Sequence, residues 1–95
     1  MELLTDDQIT AELNESPGWA LANGEITRTF TRQDFKDAFL LVGAVAFLAE
    51  EAGHHPDIDI RWNKVKLTLS THSAGGLTAA DFALARRISA LPGPG

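Results

Sequence analysis

Two stretches of strict alternation sit just past the middle of the chain. Residues 57–62 and 65–71 place apolar residues at every second position, Ile58, Ile60 and Trp62 in the first and Val65, Leu67 and Leu69 in the second. A period of two is the signature of a strand with one buried face. With Asn63-Lys64 as a two-residue turn, the runs predict a hairpin in which Trp62 pairs with Val65, Ile60 with Leu67 and Ile58 with Leu69. Six apolar side chains then share one face. A slip of one residue would turn them toward Asp59, Arg61, Lys66 and Thr68, so a half-buried hairpin holds this parity firmly. Carried past the strand ends, the same register sets His55 opposite His72, on the polar face with Asp57, Asp59 and Ser70.

The remaining pattern is helical on either side of a second hairpin. Thr5-Asp6-Asp7-Gln8 reads as a capping box that opens a short helix through about Leu13, with Ile9 and Leu13 as its stripe. Trp19–Ala22 leads to Asn23-Gly24, a strong hairpin turn, and Glu25–Thr31 follows as a strand carrying Ile26 and Phe30 on the same side as Arg28. The longest helix is expected from Thr31 or Asp34 to Ala52, with Gly53 as a left-handed stop. Phe35, Phe39, Val42, Ala46 and Ala49 define its inner face. Leu40, Leu41, Val45, Phe47 and Leu48 extend apolar surface almost all round, which predicts a second buried side, against another subunit or under the first or last helix. After a flexible loop at Ser73–Gly76, Thr78 and Asp81 form the N-cap and its N3 partner of a last helix. That helix turns Phe82, Ala85 and Ile88 inward and Arg86-Arg87 outward, and Leu91–Gly95 is a frayed tail.

The expected architecture is therefore α+β, a four-stranded antiparallel sheet of two hairpins with three helices packed on one face, in the order α-β-β-α-β-β-α. Ninety-five residues suffice for one core, a single domain over 1–95. A net charge of −5 with only eight scattered Lys and Arg argues against a nucleic-acid surface. The absence of cysteine excludes disulfides and thiolate chemistry. The uncharged run Ala38–Ala49 is too short for a membrane span, and the N-terminus lacks the pattern of a signal peptide, so a cytoplasmic protein is expected.

All three histidines fall in one region, His54 and His55 just past the long helix and His72 after the second alternating run. Imidazole, with an unperturbed pKa near ~6.5, can accept a proton in one ring and donate one from another at the same pH. Glu50, one turn before Gly53, can orient a ring or pair with imidazolium. Other readings share these residues. The histidines could cap carbonyls or stand in water, or three His with Asp57, Asp59 or Glu50 could form a zinc-type site, although adjacent histidines rarely bind one ion together. Ser70 or Ser73 beside His72 lacks a nucleophile motif. Trp19, Trp62 and the five Phe read as core, and Asp81 reads as a cap before it reads as a catalyst.

The run Glu50-x3-His54-His55-Pro56, then Trp62-Asn63-Lys64-Val65, Leu69-Ser70-Thr71-His72, Gly76-Leu77-Thr78 and Asp81, closely resembles the signature of the pterin-4a-carbinolamine dehydratases. Pro17-Gly18-Trp19 and the Phe30–Phe39 region extend the resemblance over nearly the whole chain, and Gly53 and Ile58 depart from it. The resemblance implies the α+β fold above, assembly into homodimers or homotetramers through sheet edges and long helices, and dehydration of a 4a-hydroxytetrahydropterin to the quinonoid dihydropterin. That reaction recycles tetrahydrobiopterin beside an aromatic amino acid hydroxylase and uses neither metal nor added cofactor. The implied site is His54, His55 and His72 as the pterin-contacting acid/base set, supported by Glu50, Pro56, Asp81, Ser70 and Thr71. The resemblance also admits a non-catalytic alternative, because animal members double as dimerisation cofactors of a homeodomain transcription factor and other relatives resemble scaffold proteins.

Overall fold

The computed structural model describes residues 2–93. In chain order it contains α1 (Asp6–Asn14), β1 (Ala20–Ala22), β2 (Glu25–Thr31), α2 (Phe35–Ala52), β3 (Asp57–Arg61), β4 (Lys64–Leu69), one 3-10 turn (His72–Ala74) and α3 (Ala79–Ser89). The four strands form one antiparallel sheet in the order β1-β2-β4-β3. The two hairpins meet through β2 and β4, which align Ile26 with Leu69, Arg28 with Leu67 and Phe30 with Val65. This is the α+β arrangement expected from the alternation.

Local chemistry sets the element ends. Thr5 and Gln8 complete a capping box at α1, and Thr78 and Asp81 do the same at α3. Asp34 caps α2, its carboxylate accepting from the Asp37 amide at 2.8 Å, and Gly53 ends it at φ 61°. At the first hairpin Asn23 and Gly24 take φ values of 54° and 75°, the conformation that a right-twisted two-residue turn requires.

The second hairpin departs from its expected register. Ile58 pairs with Leu67, Ile60 with Val65 and Arg61 with Lys64, so the turn is Trp62-Asn63 and the ladder is displaced by two residues. A shift of two preserves which side chains share a face, so alternation cannot detect it. Charge and tertiary contact favour the observed pairing. Asp59 now stands opposite Lys66, where the expected register opposed Arg61 to Lys66. The turn is also tied to the β2–α2 connection, where the Asn63 carbonyl accepts from the Arg32 amide and Asn63 Nδ2 donates to the Arg32 carbonyl. Trp62 takes φ 49°, which is uncommon for an aromatic residue, and lies exposed in the turn instead of on the apolar face. The pairing of His55 with His72 falls with the register.

The core lies between the sheet and the helices. Ile26, Phe30, Val65, Leu67 and Leu69 meet Ala38, Leu41, Val45 and Ala49 of α2 and Phe82, Leu84, Ala85 and Ile88 of α3, while Ile9 and Leu13 of α1 pack at the margin. The inner face of α2 thus differs from the expected one. Phe35, Phe39 and Ala46 are exposed, and Phe35 and Phe39 contact each other with ring centroids 5.9 Å apart. In a helix apolar almost all round, periodicity does not choose the buried side. Ala38, Val45 and Ala49 let the backbone approach the sheet closely, whereas the phenylalanines would hold it away.

Arg28 is accommodated on the apolar side of β2 by stacking 4.4 Å from the Phe30 ring centroid and donating to Ser89 Oγ and the Pro17 carbonyl. The Ser73–Gly76 segment is more ordered than a flexible loop, since a 3-10 turn runs through it and Thr71 bridges to Gly76. The tail is likewise anchored at its start. Leu91 packs on the core and the Pro92 carbonyl accepts from Arg32 Nη2 at 3.2 Å, whereas Pro94 and Gly95 lie outside the described residues.

Candidate active site

Three chain segments converge at the end of the sheet away from the Trp62-Asn63 turn. The α2 C-terminus delivers Glu50, Gly53, His54 and His55, the end of β4 delivers Ser70 to Ser73, and the start of α3 delivers Asp81. Gly53, His54, His55, Ser70, Thr71, His72 and Ser73 line an open groove of about 280 Å³. All three histidines border it even though His55 and His72 do not pair across strands. A somewhat larger hollow of about 360 Å³ lies on the open sheet face among Thr29, Asp59, Arg61, Lys64 and Lys66. Its lining contains no histidine, whereas that of the groove contains all three.

His54 is the best-anchored of the three. Its Nε2 lies 2.5 Å from Asp81 Oδ1, and its side chain is only 15% exposed against a carboxylate that is 0% exposed. Asp81 is tolerated in the core because every side of it is hydrogen-bonded. Its Oδ2 accepts from the Thr78 amide at 2.9 Å and from Thr71 Oγ1 at 2.8 Å, and Thr71 Oγ1 in turn lies 2.8 Å from Thr78 Oγ1. With Thr71 donating to Asp81, the Thr78 hydroxyl donates to Thr71, so one chain of protons holds the carboxylate in place. Asp81 is therefore both a helix cap and the partner of a site histidine. An ionised Asp81 selects the His54 tautomer with the proton on Nε2 and leaves Nδ1 as an acceptor.

His55 has a different setting. Its Nε2 lies 2.5 Å from Glu50 Oε2, with side chains 62% and 76% exposed. The chain reverses at Gly53, which carries His55 back along α2 to reach a residue five positions earlier. Adjacent rings thus diverge, His54 toward α3 and His55 toward α2. Neither ring uses Nδ1 in a bond to the described residues.

His72 opens the 3-10 turn and is exposed. Ser70 lines the groove and donates to Glu25 Oε2 at 3.3 Å, Thr71 acts through Asp81, and Pro56 is half-buried between His55 and β3 without lining the groove. The inward link from Thr71 through Asp81 to His54 was missed from sequence. The resemblance names Thr71 and Asp81 among the supporting residues, but the Thr78-x-x-Asp81 cap accounts for Asp81 by itself and nothing in the sequence joins the two to His54. Glu25 also went unnoticed, since it reads as the first residue of a strand.

Comparison with known proteins places the chain in one family. The family model described as Pterin 4 alpha carbinolamine dehydratase matches residues 2–91. A relative from Chloroflexus aurantiacus named "Putative pterin-4-alpha-carbinolamine dehydratase" is 54% identical over 93 residues, covering 98% of this chain and 100% of its own. One of the same name from Nocardia farcinica is 56% identical over 90 residues, covering 95% of each. Among solved structures, a transcriptional coactivator/pterin dehydratase from Brucella melitensis superposes with a TM-score of 0.92 at 35% identity, covering 97% of this chain and 100% of that one. A pterin dehydratase-like protein described as a RuBisCO assembly factor of the alpha-carboxysome superposes with a TM-score of 0.64 at 27% identity, covering 81% and 89%. The chain belongs to the pterin-4a-carbinolamine dehydratase family. Among the described residues, no helix is long and apolar enough to cross a membrane.

Proposed function

We propose that the protein dehydrates a 4a-hydroxytetrahydropterin to the quinonoid dihydropterin by histidine acid/base catalysis. The observation that carries this reading is the convergence of all three histidines on one groove, one of them fixed by a buried carboxylate. In the reaction the C4a–O bond breaks, the departing hydroxyl takes a proton and leaves as water, N5 loses its proton, and a C4a=N5 double bond forms. Two groups with opposite proton duties are needed, and the net proton count does not change.

His54 is assigned the proton from N5, accepted at Nδ1, because Asp81 stabilises the imidazolium that results. His55, supported by Glu50, is assigned delivery of a proton to the leaving hydroxyl. His72 positions the pterin from the opposite wall, with Ser70 beside it. The test follows the decay of 4a-hydroxytetrahydropterin, formed in place by an aromatic amino acid hydroxylase, with chelator-treated protein. Acceleration by the wild-type chain is expected, and a correctly folded wild type that leaves the decay rate unchanged overturns the reading.

A second reading is favoured by the outer side of α2, where Phe39, Leu40 and Phe47 are more than half exposed. Such a surface suits a second copy of the chain, and it would also serve an assembly or transcription-cofactor role like those in the names of the two solved structures. Turnover without any partner protein separates the enzyme from the binding module.

A further inference from the structure

At the open end of the sheet, three potential metal ligands arrive from three different elements. Glu25 is the first residue of β2, Asp57 is the first residue of β3, and His72 opens the turn that follows β4. Because β4 lies between β2 and β3, the two carboxylates flank the strand whose end supplies the histidine. One ligand atom from each lies within 4.8 Å of the others. Tetrahedral zinc with bonds of about 2.1 Å sets its ligands roughly 3.4 Å apart, so closing the site takes an adjustment of about an ångström. Exposed Asp57 and His72 can supply it by rotation, while half-buried Glu25 is held by the Ser70 hydroxyl.

Among the described residues, neither Glu25 nor Asp57 meets a lysine or arginine within ion-pair distance, which is equally true of Asp6, Asp7 and Glu15, so the histidine beside the two carboxylates is what sets this group apart. Two neighbouring carboxylates and an imidazole present hard oxygen and borderline nitrogen together, a donor set that suits zinc or cobalt better than magnesium.

We propose that Glu25, Asp57 and His72 bind one divalent transition-metal ion of the zinc type, and that its occupation withdraws His72 from the neighbouring groove. The second half rests on the proposed function, because an ion on His72 removes a ring from the wall that would hold the pterin. The site then acts as an inhibitory metal site at the edge of the reaction centre.

The full chain, stripped with chelator, is titrated with zinc chloride by calorimetry while the ring resonances of the three histidines are followed by NMR. One equivalent is expected to bind, moving the His72 resonances and leaving those of His54 and His55 in place. Asp57→Asn and Glu25→Gln, each checked for unchanged thermal unfolding, should weaken binding roughly tenfold or more. Zinc should slow pterin turnover by the wild type, with the half-inhibitory concentration raised by the same factor in each variant relative to its own metal-free rate. Absence of binding up to millimolar zinc, equal binding by both variants, or movement of the His54 or His55 resonances instead overturns the proposal. If zinc binds as described but the protein does not turn over pterin, the proposed function falls and the metal site stands.

Discussion

His54 and His55 are the same residue type, adjacent in sequence and each paired with a carboxylate at 2.5 Å, yet they sit in opposite surroundings. His54 reaches inward to a fully buried Asp81 held by Thr71 and the Thr78 amide, whereas His55 reaches outward to Glu50 on a wet helix surface. Breaking a hydrogen bond to a buried carboxylate costs more than breaking one that faces solvent, because the stranded partner cannot turn to water. The site thus joins a ring built into the fold to a ring that solvent can reach. In the proposed function the first serves stability and chemistry together, the second chemistry alone.

Removing each ring tests this contrast most directly. His54→Ala and His55→Ala should each lower the rate of pterin dehydration by roughly 10²–10⁴, the usual effect of losing a general acid or base. Only His54→Ala should also lower the melting temperature, since it strands Asp81 at a cost of about 1–3 kcal/mol, or several degrees in a chain of this length. Equal thermal shifts in the two variants would remove the distinction between them.

A smaller effect is expected one step further in. Asp81→Asn keeps the shape but gives up charge-assisted bonds of about 1.5–3 kcal/mol, which corresponds to roughly ten- to a hundredfold in rate if that stabilisation is used in forming the imidazolium. The loss should appear in kcat more than in KM, because Asp81 touches His54 and not the groove. A purely structural role would lower the melting temperature and leave kcat per folded molecule intact.

Glu50→Gln should do least. An exposed pair contributes about 0–1 kcal/mol, so the melting temperature should fall by no more than about 4–8 °C and by less than in His54→Ala, and the rate should fall only a few-fold. A loss as large as that of His55→Ala would show that Glu50 itself takes part in proton transfer, and the contrast between a buried and a solvated partner would need redrawing.

Much of this was legible in the chain. The capping signals at Thr5, Gly53 and Thr78 fall where helices begin and end, Asn23-Gly24 makes the first turn, and His54, His55 and His72, clustered in sequence, line one groove. These features are local: a cap or a tight turn is decided by a few neighbouring residues whose hydrogen bonds close on one another. The sidedness of Ile58, Ile60, Val65, Leu67 and Leu69 was also readable, because a period of two fixes a face.

The tertiary structure decided what those local rules leave degenerate. A two-residue slide of β3 along β4 keeps every face, and the choice falls to Asn63 binding the Arg32 backbone and to Asp59, in place of Arg61, standing across from Lys66. The rotation of α2 is set by how closely Ala38, Val45 and Ala49 let it approach the sheet, which a helix apolar on most sides does not announce. The dual role of Asp81 depends on Thr71 and His54, ten and 27 positions away, meeting one buried carboxylate. Sequence determined the ends of elements and the faces of strands because those are short-range and steric. Register, helix rotation and the partner of His54 needed the packed core, because each compares arrangements that differ only in contacts distant along the chain.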